Sequence, residues 1–416
     1  MSKKAQPEVP TRAKPKKGLV KFPSGNMTAQ AIVEAAQHAK DRVMPSMFLV
    51  EGEALSVFSP LTSSSADNGC MTRTDIRVIN EAGVRVGGRT EELSAEVQKT
   101  LHPSALQFEG DRVRILGEDG EVADGVGGPG IVSSDDPSTY WNKIVAPLQE
   151  VGSLPTSVLR GLLSSVQAFI GEDETRPHVN WTPIEVSQGL VQGVATNGHI
   201  LVVRRMRSPL VMASGVVKVG VPRSAIRALS RFQEPTTHLY KHPDKDSTAW
   251  MACCGAHSVF MTHVNTFPLY DALLPSNNTR YVGFDASAPL LRSTVADVVQ
   301  RANKTGKKAI EMTVEGSLLT FLVGDTALRW TIPIEWTCGK QESFRSVVGS
   351  RYLAQVVRAI TDGGVTTRIE RLTASQTKDV ELTPLYIKDV PFGDVFAETD
   401  HPWDAITILM PMRSPR

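Results

Sequence analysis

The sequence predicts an α+β protein made of three tandem copies of one domain, in which two helices pack on antiparallel sheets. The 416 residues are too many for a single hydrophobic core. Two helical patterns recur at a spacing of roughly 130 residues, and segments of alternating polar and apolar residues, typical of half-buried strands, lie between them. We therefore expect domains at 20–149, 150–279 and 280–416, preceded by a disordered basic tail at 1–19.

The first helical pattern is clearest in the second domain. The segment PTSVLRGLLSSVQAF has apolar residues at i, i+3, i+4 and i+7 from Leu159, which is the period of an amphipathic helix. The segment SAPLLRSTVADVVQRA repeats this pattern in the third domain, where Leu291 follows Leu159 by 132 residues. Each domain should therefore begin near such a helix.

The second helical pattern, PRSAIRALSRF, is repeated in GSRYLAQVVRAI, where Leu353 follows Ile226 by 127 residues. A strand-like segment that begins with two threonines follows each copy. The first domain carries weaker counterparts of both helices, in MTAQAIVEAAQHA and ELSAEVQKTL. The segment ALQFEGDRVRIL follows them, and its alternation predicts a hairpin.

Composition limits the class of protein. Hydrophobic residues make up 41% and charged residues 21%, with a net charge of +1, which is typical of a soluble globular protein. The N-terminus lacks the apolar core of a signal peptide, and no stretch is long enough to span a bilayer, so we expect a cytoplasmic protein without membrane contacts. The four cysteines show no CxxC spacing and are expected to be reduced thiols without a metal.

The candidate catalytic signals are weak. Gly125, Gly127 and Gly130 form a GxGxxG pattern, but Pro129 interrupts it and no helix pattern follows, so a flexible linker is the better interpretation. His199 follows an Asn-Gly turn, yet no GxSxG, HExxH or paired-carboxylate motif accompanies it. The sequence therefore indicates a protein that is not an enzyme and needs no cofactor.

Arginines recur on equivalent predicted helices, and two interpretations are open. A run of charge is commonly a solvated face. Repetition in equivalent helices would instead line one surface with cations, where phosphate attraction is independent of sequence and sensitive to salt. We favour the second interpretation, and the candidate DNA-facing residues are Arg160, Arg223, Arg227, Arg231, Arg292, Arg351 and Arg358.

Several segments resemble one known family, the bacterial DNA polymerase III beta sliding clamps. ETRPHVNWTPIEVSQGLVQGVATNGHILVV is similar to the second domain of those proteins, and FPLYDALLP to the end of that domain. GSRYLAQVV resembles a helix of the third domain, and ILMPMR the C-terminus. The motifs follow the family's order from residue 150 onward, whereas the first 150 residues match only through the repeat.

The resemblance implies a subunit of three clamp-type domains. Two copies of this subunit would close head to tail into a ring lined by helices. Such a homodimer encircles duplex DNA, is opened by an ATP-driven clamp loader and tethers a DNA polymerase without catalysing a reaction. A divergent paralogue that binds peptides but does not close a ring efficiently is the alternative. A nucleic-acid enzyme acting through His199 has little support.

The resemblance also implies a peptide-binding pocket between the second and third domains. An apolar cleft with a few polar groups and flexible methionines suits varied peptides, although apolar strand residues are commonly core. Ile200 stands where the family has an arginine, which would remove one charge from the rim. The residues carried over by position are Arg176, Val179, Thr196, Gly198, His199, Ile200, Leu201, Pro268, Leu273, Tyr352, Leu382, Pro384, Ile408, Leu409, Met410, Pro411 and Met412.

Overall fold

The structure is a computed structural model, and it describes most of the chain from residue 137 onward and short segments before it. The described residues are 18–21, 47–51, 53–60, 70–78, 86–89, 103–109, 112–117, 137–173, 175–263, 266–274, 281–324, 328–338, 343–359, 366–372, 384–389 and 405–411. Helices in these ranges are α1 Pro137–Val145, α2 Thr156–Gln167, α3 Arg223–Leu229, α4 Ala288–Lys304 and α5 Ser350–Ala359, with short 3-10 helices at Pro177–Val179 and Asp271–Leu273.

Strands make up most of the regular structure in the same ranges. In chain order they are β1 Gly18–Lys21, β2 Met47–Glu51, β3 Ala54–Pro60, β4 Met71–Arg77, β5 Val86–Arg89, β6 Pro103–Glu109, β7 Arg112–Gly117, β8 Gln149–Pro155, β9 Trp181–Ser187, β10 Leu190–Thr196, β11 Ile200–Arg207, β12 Met212–Ala213, β13 Val217–Pro222, β14 Thr236–Lys241, β15 Trp250–Cys254, β16 His257–Met261, β17 Tyr281–Ser287, β18 Ala309–Glu315, β19 Leu318–Leu322, β20 Arg329–Cys338, β21 Phe344–Gly349, β22 Thr366–Leu372, β23 Leu385–Asp389 and β24 Ala405–Leu409. Antiparallel sheets with few helices agree with the predicted α+β class.

The chain forms two compact units. The first comprises residues up to 149 together with 240–261. Its strands run in the order β15-β16-β4-β3-β2-β5, and a separate sheet has the order β1-β6-β7. A buried cluster of Leu49, Phe58, Trp141 and Phe260 joins α1 to these strands, with the Phe58 and Trp141 rings 6.2 Å apart.

The second unit comprises residues 150–239 and 262–416. One long sheet runs through it in the order β13-β9-β10-β11-β24-β23-β22-β17-β20-β19-β18-β21. Near its middle, β11 pairs antiparallel with the C-terminal strand β24, so that Ile200 lies opposite Leu409 and Arg204 opposite Ala405. The C-terminal strand is therefore an internal strand of the sheet.

The repeat predicted from the sequence is visible in the order of elements. Strand β8 leads directly into α2, as β17 leads into α4, and each of these two helices is followed by three strands. A further strand leads into α3, as β21 leads into α5, and the next strands, β14 and β22, begin with the two threonines. The buried residues of α2 include Leu159, Leu162, Leu163 and Val166, which confirms the periodicity; those of α4 include Leu291, Val295 and Val298.

Other sequence predictions have mixed outcomes. The predicted hairpin is confirmed, because β6 and β7 pair with Glu109 opposite Arg112. Strand β1 begins at Gly18, so residues 18 and 19 of the predicted tail belong to a strand, and residues 1–17 lie outside the described residues. The two helices predicted for the first domain and the glycine-rich linker lie outside the described residues. Cys70, Cys253 and Cys254 are free thiols, as expected.

Candidate functional site

The turn between β10 and β11 determines the position of His199. Gly198 has a φ of +86°, a conformation that favours glycine. The Asn197 side-chain oxygen accepts hydrogen bonds from the backbone N–H groups of His199 and Ile200, both at 3.0 Å. The Thr196 hydroxyl accepts from the N–H of Gly198 at 3.1 Å and donates to the carbonyl of Ile200 at 2.7 Å. These hydrogen bonds hold the backbone of the turn that carries His199.

The end of β24 lies against this turn. The backbone N–H of Met410 donates to the carbonyl oxygen of His199 at 2.9 Å. Leu201 and Ile408 belong to a buried cluster, and Met410 packs against that cluster while staying partly exposed. The remaining buried members are Trp181, Val194, Val203, Phe267, Tyr386 and Ile406, with Tyr270 and Leu274 at the margin.

A cavity of about 340 Å³ lies on the other side of His199. Its walls come from the segment after α2, from the turn at Asn197 and from the first turns of α5. The His199 ring stacks on the ring of Tyr352, with centroids 4.3 Å apart and an interplanar angle of 20°. The lining residues are Ala168, Ile170, Gly171, Glu172, Asp173, Arg176, Asn197, His199, Arg351, Tyr352 and Gln355.

The charged groups of the cavity are unevenly paired. Glu172 forms an ion pair with Arg223. Asp173 accepts hydrogen bonds from the hydroxyl and N–H of Thr175 and from the Nε of Arg176, at 2.6, 2.9 and 2.9 Å, and these bonds lower the pKa of its carboxyl. Arg351 is exposed and forms no hydrogen bond or ion pair with any described residue.

The surroundings of His199 favour the neutral form of its imidazole. Burial of its imidazole, followed by the positive charge of Arg176, lowers the pKa of His199 below the usual 6.5. A neutral imidazole has one nitrogen that donates and one that accepts a hydrogen bond. The ring is therefore a polar wall of the cavity and adds no charge to it.

The predicted pocket residues divide into groups. Arg176, His199 and Tyr352 line the cavity, while Leu201, Ile408 and Met410 lie at the apolar cluster. Pro268 and Leu273 lie in the segment 266–274, where Leu273 is 39% exposed. Pro411 is partly exposed beyond β24, and Pro384 is partly exposed before β23. Leu382 and Met412 lie outside the described residues.

Other predicted members support the site from beneath. Val179, Ile200 and Leu409 are 3%, 1% and 0% exposed, so they pack under the surface and leave contact to their neighbours. Ile200 is a buried residue of β11, and the expectation that it removes a charge from the rim stays a prediction. Thr196 and Gly198 act through the turn described above.

The predicted arginine stripe needs correction. Helix α3 ends at Leu229, so Arg231 lies beyond it, and Arg223 is engaged with Glu172 and with the carbonyl of Ile170 at 2.8 Å. Arg160 on α2 and Arg227 on α3 are exposed. Of the remaining candidates, Arg292 is half-buried, Arg351 lines the cavity, and the side chain of Arg358 lies outside the description.

Sequence reasoning missed part of the cavity. Glu172, Asp173 and Gln355 were not predicted, and Arg351 was assigned to a DNA-facing surface. Glu172 and Asp173 could have been predicted from their position in the sequence, because they stand just before the Thr175-Arg176 pair of the motif that resembles the family. Across the described ranges, no three His, Cys, Asp or Glu side chains are grouped to hold a metal, and no helix there is long and apolar enough to cross a membrane.

Comparison with known proteins identifies the fold. Solved structures that match include the DNA polymerase III subunit beta from Pseudomonas aeruginosa, with a TM-score of 0.69 and 16% identity, covering 96% of this chain and 100% of that one. The beta subunit from Thermotoga maritima matches at 0.71 and 15%, and the sliding clamp from Bartonella birtlesii bound to griselimycin at 0.71 and 17%, both with the same coverage. No family model and no curated protein sequence matches.

The chain therefore has the fold of the DNA polymerase III beta sliding clamps. The likeness extends over nearly its whole length, which includes the divergent first 150 residues.

Proposed function

We propose that the protein is a DNA sliding clamp. Two copies close head to tail into a ring around duplex DNA, and partner proteins such as a DNA polymerase and a clamp loader bind through short peptides at the cleft beside Met410. The tether is topological, and the chain itself carries out no reaction. We also propose that its three domains are those expected from the sequence, at 20–149, 150–279 and 280–416.

The pattern of strand pairing carries the proposal. The third strand after α2, β11, pairs with β24 at the end of the third predicted domain, and β4 of the first predicted domain pairs with β16 at the end of the second. The corresponding strand of the third repeat is β20. Among the described residues, its first half pairs with β19 alone, and β17 joins only from Ile334 onward. A second copy of the chain could continue the pattern by pairing its first repeat with this free edge.

The free edge is suited to such pairing. Ile334 donates its N–H to Ser317 on the β19 side, so by alternation Arg329 and Thr331 direct their N–H groups away from β19. Both side chains are exposed, and Leu328 beside them is 48% exposed. Pro333 has no N–H and limits the available edge to the residues before it. An unpaired strand edge is a template for a further strand.

The helices support the DNA-binding part of the proposal. Helix α2 packs on α3 and α4 packs on α5, and the exposed Arg160 and Arg227 lie on the first of these pairs. Such cations attract the phosphate backbone whatever its sequence. Two exposed arginines in this helix pair supply only a modest attraction, which suits a protein that must slide along DNA.

Retention on closed DNA tests this function. The protein, loaded onto nicked circular DNA by a clamp loader with ATP and then washed at high salt, should remain bound, and cutting the circle at one site should release it. High salt removes the phosphate attraction and leaves only the topological link. Equal loss from circular and linear DNA would contradict the ring. Peptide binding that persists despite such a loss would favour the alternative, an interaction module that does not close a ring.

A further inference from the structure

One cation of the cavity, Arg351, is not neutralised by any acidic side chain of the described residues. The two acidic side chains in the lining are already engaged, Glu172 with Arg223 and Asp173 with Thr175 and Arg176. Arg351 has no such partner among the described residues. A guanidinium holds its charge at any physiological pH and has five N–H donors. The cavity therefore offers donors and positive charge to an anion from outside.

The other walls suit a small, planar, singly charged group. The side-chain amides of Asn197 and Gln355 face each other at 3.4 Å, and the stacked rings of His199 and Tyr352 form a flat surface. A carboxylate matches the planar guanidinium, which can donate two parallel hydrogen bonds to it. A phosphate carries more negative charge and would be repelled more strongly by the nearby Glu172 and Asp173.

The cavity and the end of β24 meet at His199. His199 takes part in both, because its ring lines the cavity while its carbonyl accepts the N–H of Met410. An extended peptide advances about 3.3 Å per residue. A peptide with apolar side chains at Met410 could therefore place a side chain in the cavity within a few residues of those anchors.

We infer that this cavity is a subsite for an acidic residue of the partner peptide, with Arg351 as the group that binds its carboxylate. The inference rests on the proposed peptide-binding function and names the chemistry of the partner. Arg351 thus selects among peptides that share the same apolar anchors. Arg351 contributes specificity. The apolar cluster contributes the part of the affinity that all peptides with these anchors share.

A peptide scan tests the subsite. Eight-residue peptides with leucine and phenylalanine anchors would carry Glu at each other position in turn, and each would be paired with its Gln counterpart. Fluorescence anisotropy with the full-length protein should find at least one position where Glu binds about fivefold more tightly than Gln, as expected for a partly exposed ion pair. The variant Arg351→Gln should bring this ratio close to one.

Arg345→Gln is the matched control. Arg345 is an exposed arginine on β21 that pairs with Glu311 at 2.7 Å, outside the cavity, so its replacement removes one charge and should preserve the Glu preference. Equal binding of Glu and Gln peptides to the wild type would overturn the subsite and leave the peptide cleft intact. Failure of every peptide to bind would overturn both. A Glu preference that persists in Arg351→Gln, or a loss of retention on DNA as the only effect of that variant, would assign Arg351 to another role.

Discussion

At the scale of single residues, Gly198 combines two constraints. Its φ of +86° costs roughly 1 kcal/mol or more for any residue with a Cβ, and an added Cβ would lie 2.9 Å from the Nη1 of Arg176. That atom is the end of a flexible side chain, which can move aside at little cost in stability. A residue larger than glycine at position 198 would therefore strain the backbone directly and would change the cavity by displacing Arg176.

The variant Gly198→Ala should consequently affect binding more than stability. Gly215→Ala is its control, because Gly215 has a φ of +93° and open space around its Cβ position. Chemical denaturation should show a similar loss in the free energy of unfolding for both variants, about 1 kcal/mol. Only Gly198→Ala should weaken peptide binding, since it displaces Arg176. A much larger loss of stability at Gly198 would mean that Arg176 cannot move.

His199 makes stability depend on pH. Its folded-state pKa lies below the unfolded value of about 6.5, so the unfolded chain binds the proton more readily. The stabilising effect is complete above pH 6.5 and is lost as pH falls from there through the folded pKa. Thermal unfolding should therefore show a smaller decrease in stability for His199→Gln than for the wild type between about pH 7.5 and 5.5. Parallel pH profiles of the two proteins would contradict this.

At the scale of elements, periodicity was sufficient to predict α2 and α4 because each buries one apolar face. It was not sufficient for the end of α3. The apolar pattern continues to Phe232, yet the helix ends at Leu229. The N–H of Ser230 bonds to the carbonyl of Ile226, and the N–H of Arg231 bonds to that of Ala228, which tightens the chain after the helix into a 3-10 pattern. No glycine or proline marks this end in the sequence.

The cavity was only half predicted for a related reason. Arg176, His199 and Tyr352 followed from local motifs, whereas Arg351 was assigned to DNA because it repeats the arginine of an equivalent helix. The two arginines differ in their partners. The side chain of Arg223 forms an ion pair with Glu172, whereas that of Arg351 forms no ion pair or hydrogen bond with a described residue. Pairing between residues some fifty positions apart in the chain has no local signal, so the sequence alone could not separate them.

At the scale of the whole molecule, the fold persists at 15–17% identity to the compared structures. Cores tolerate extensive substitution when volume and apolar pattern are kept, and the same pattern recurs in α2 and α4 with different residues. Specific function depends on fewer positions. The strand pairing of β4 with β16 and of β11 with β24 is such a feature, because among the described residues the first half of β20 lacks the corresponding partner.

Thr331 tests whether that edge closes a ring. Val203 holds the same position in β11, relative to the preceding strand, as Thr331 holds in β20. Val203 lies opposite Ile406 in β24, so Thr331 should lie opposite a strand of the second copy in the same way. Thr331→Pro removes the outward N–H and adds a bulky ring at the edge, which a strand tolerates only when no neighbour pairs there. We expect the dissociation constant of the dimer to rise at least about tenfold. Sedimentation should then report a mass near 45.2 kDa at concentrations where we expect twice that value for the wild type. Thr331→Val keeps the N–H and should remain dimeric. A folded Thr331→Pro variant that dimerises normally would show that β20 is not the closing edge.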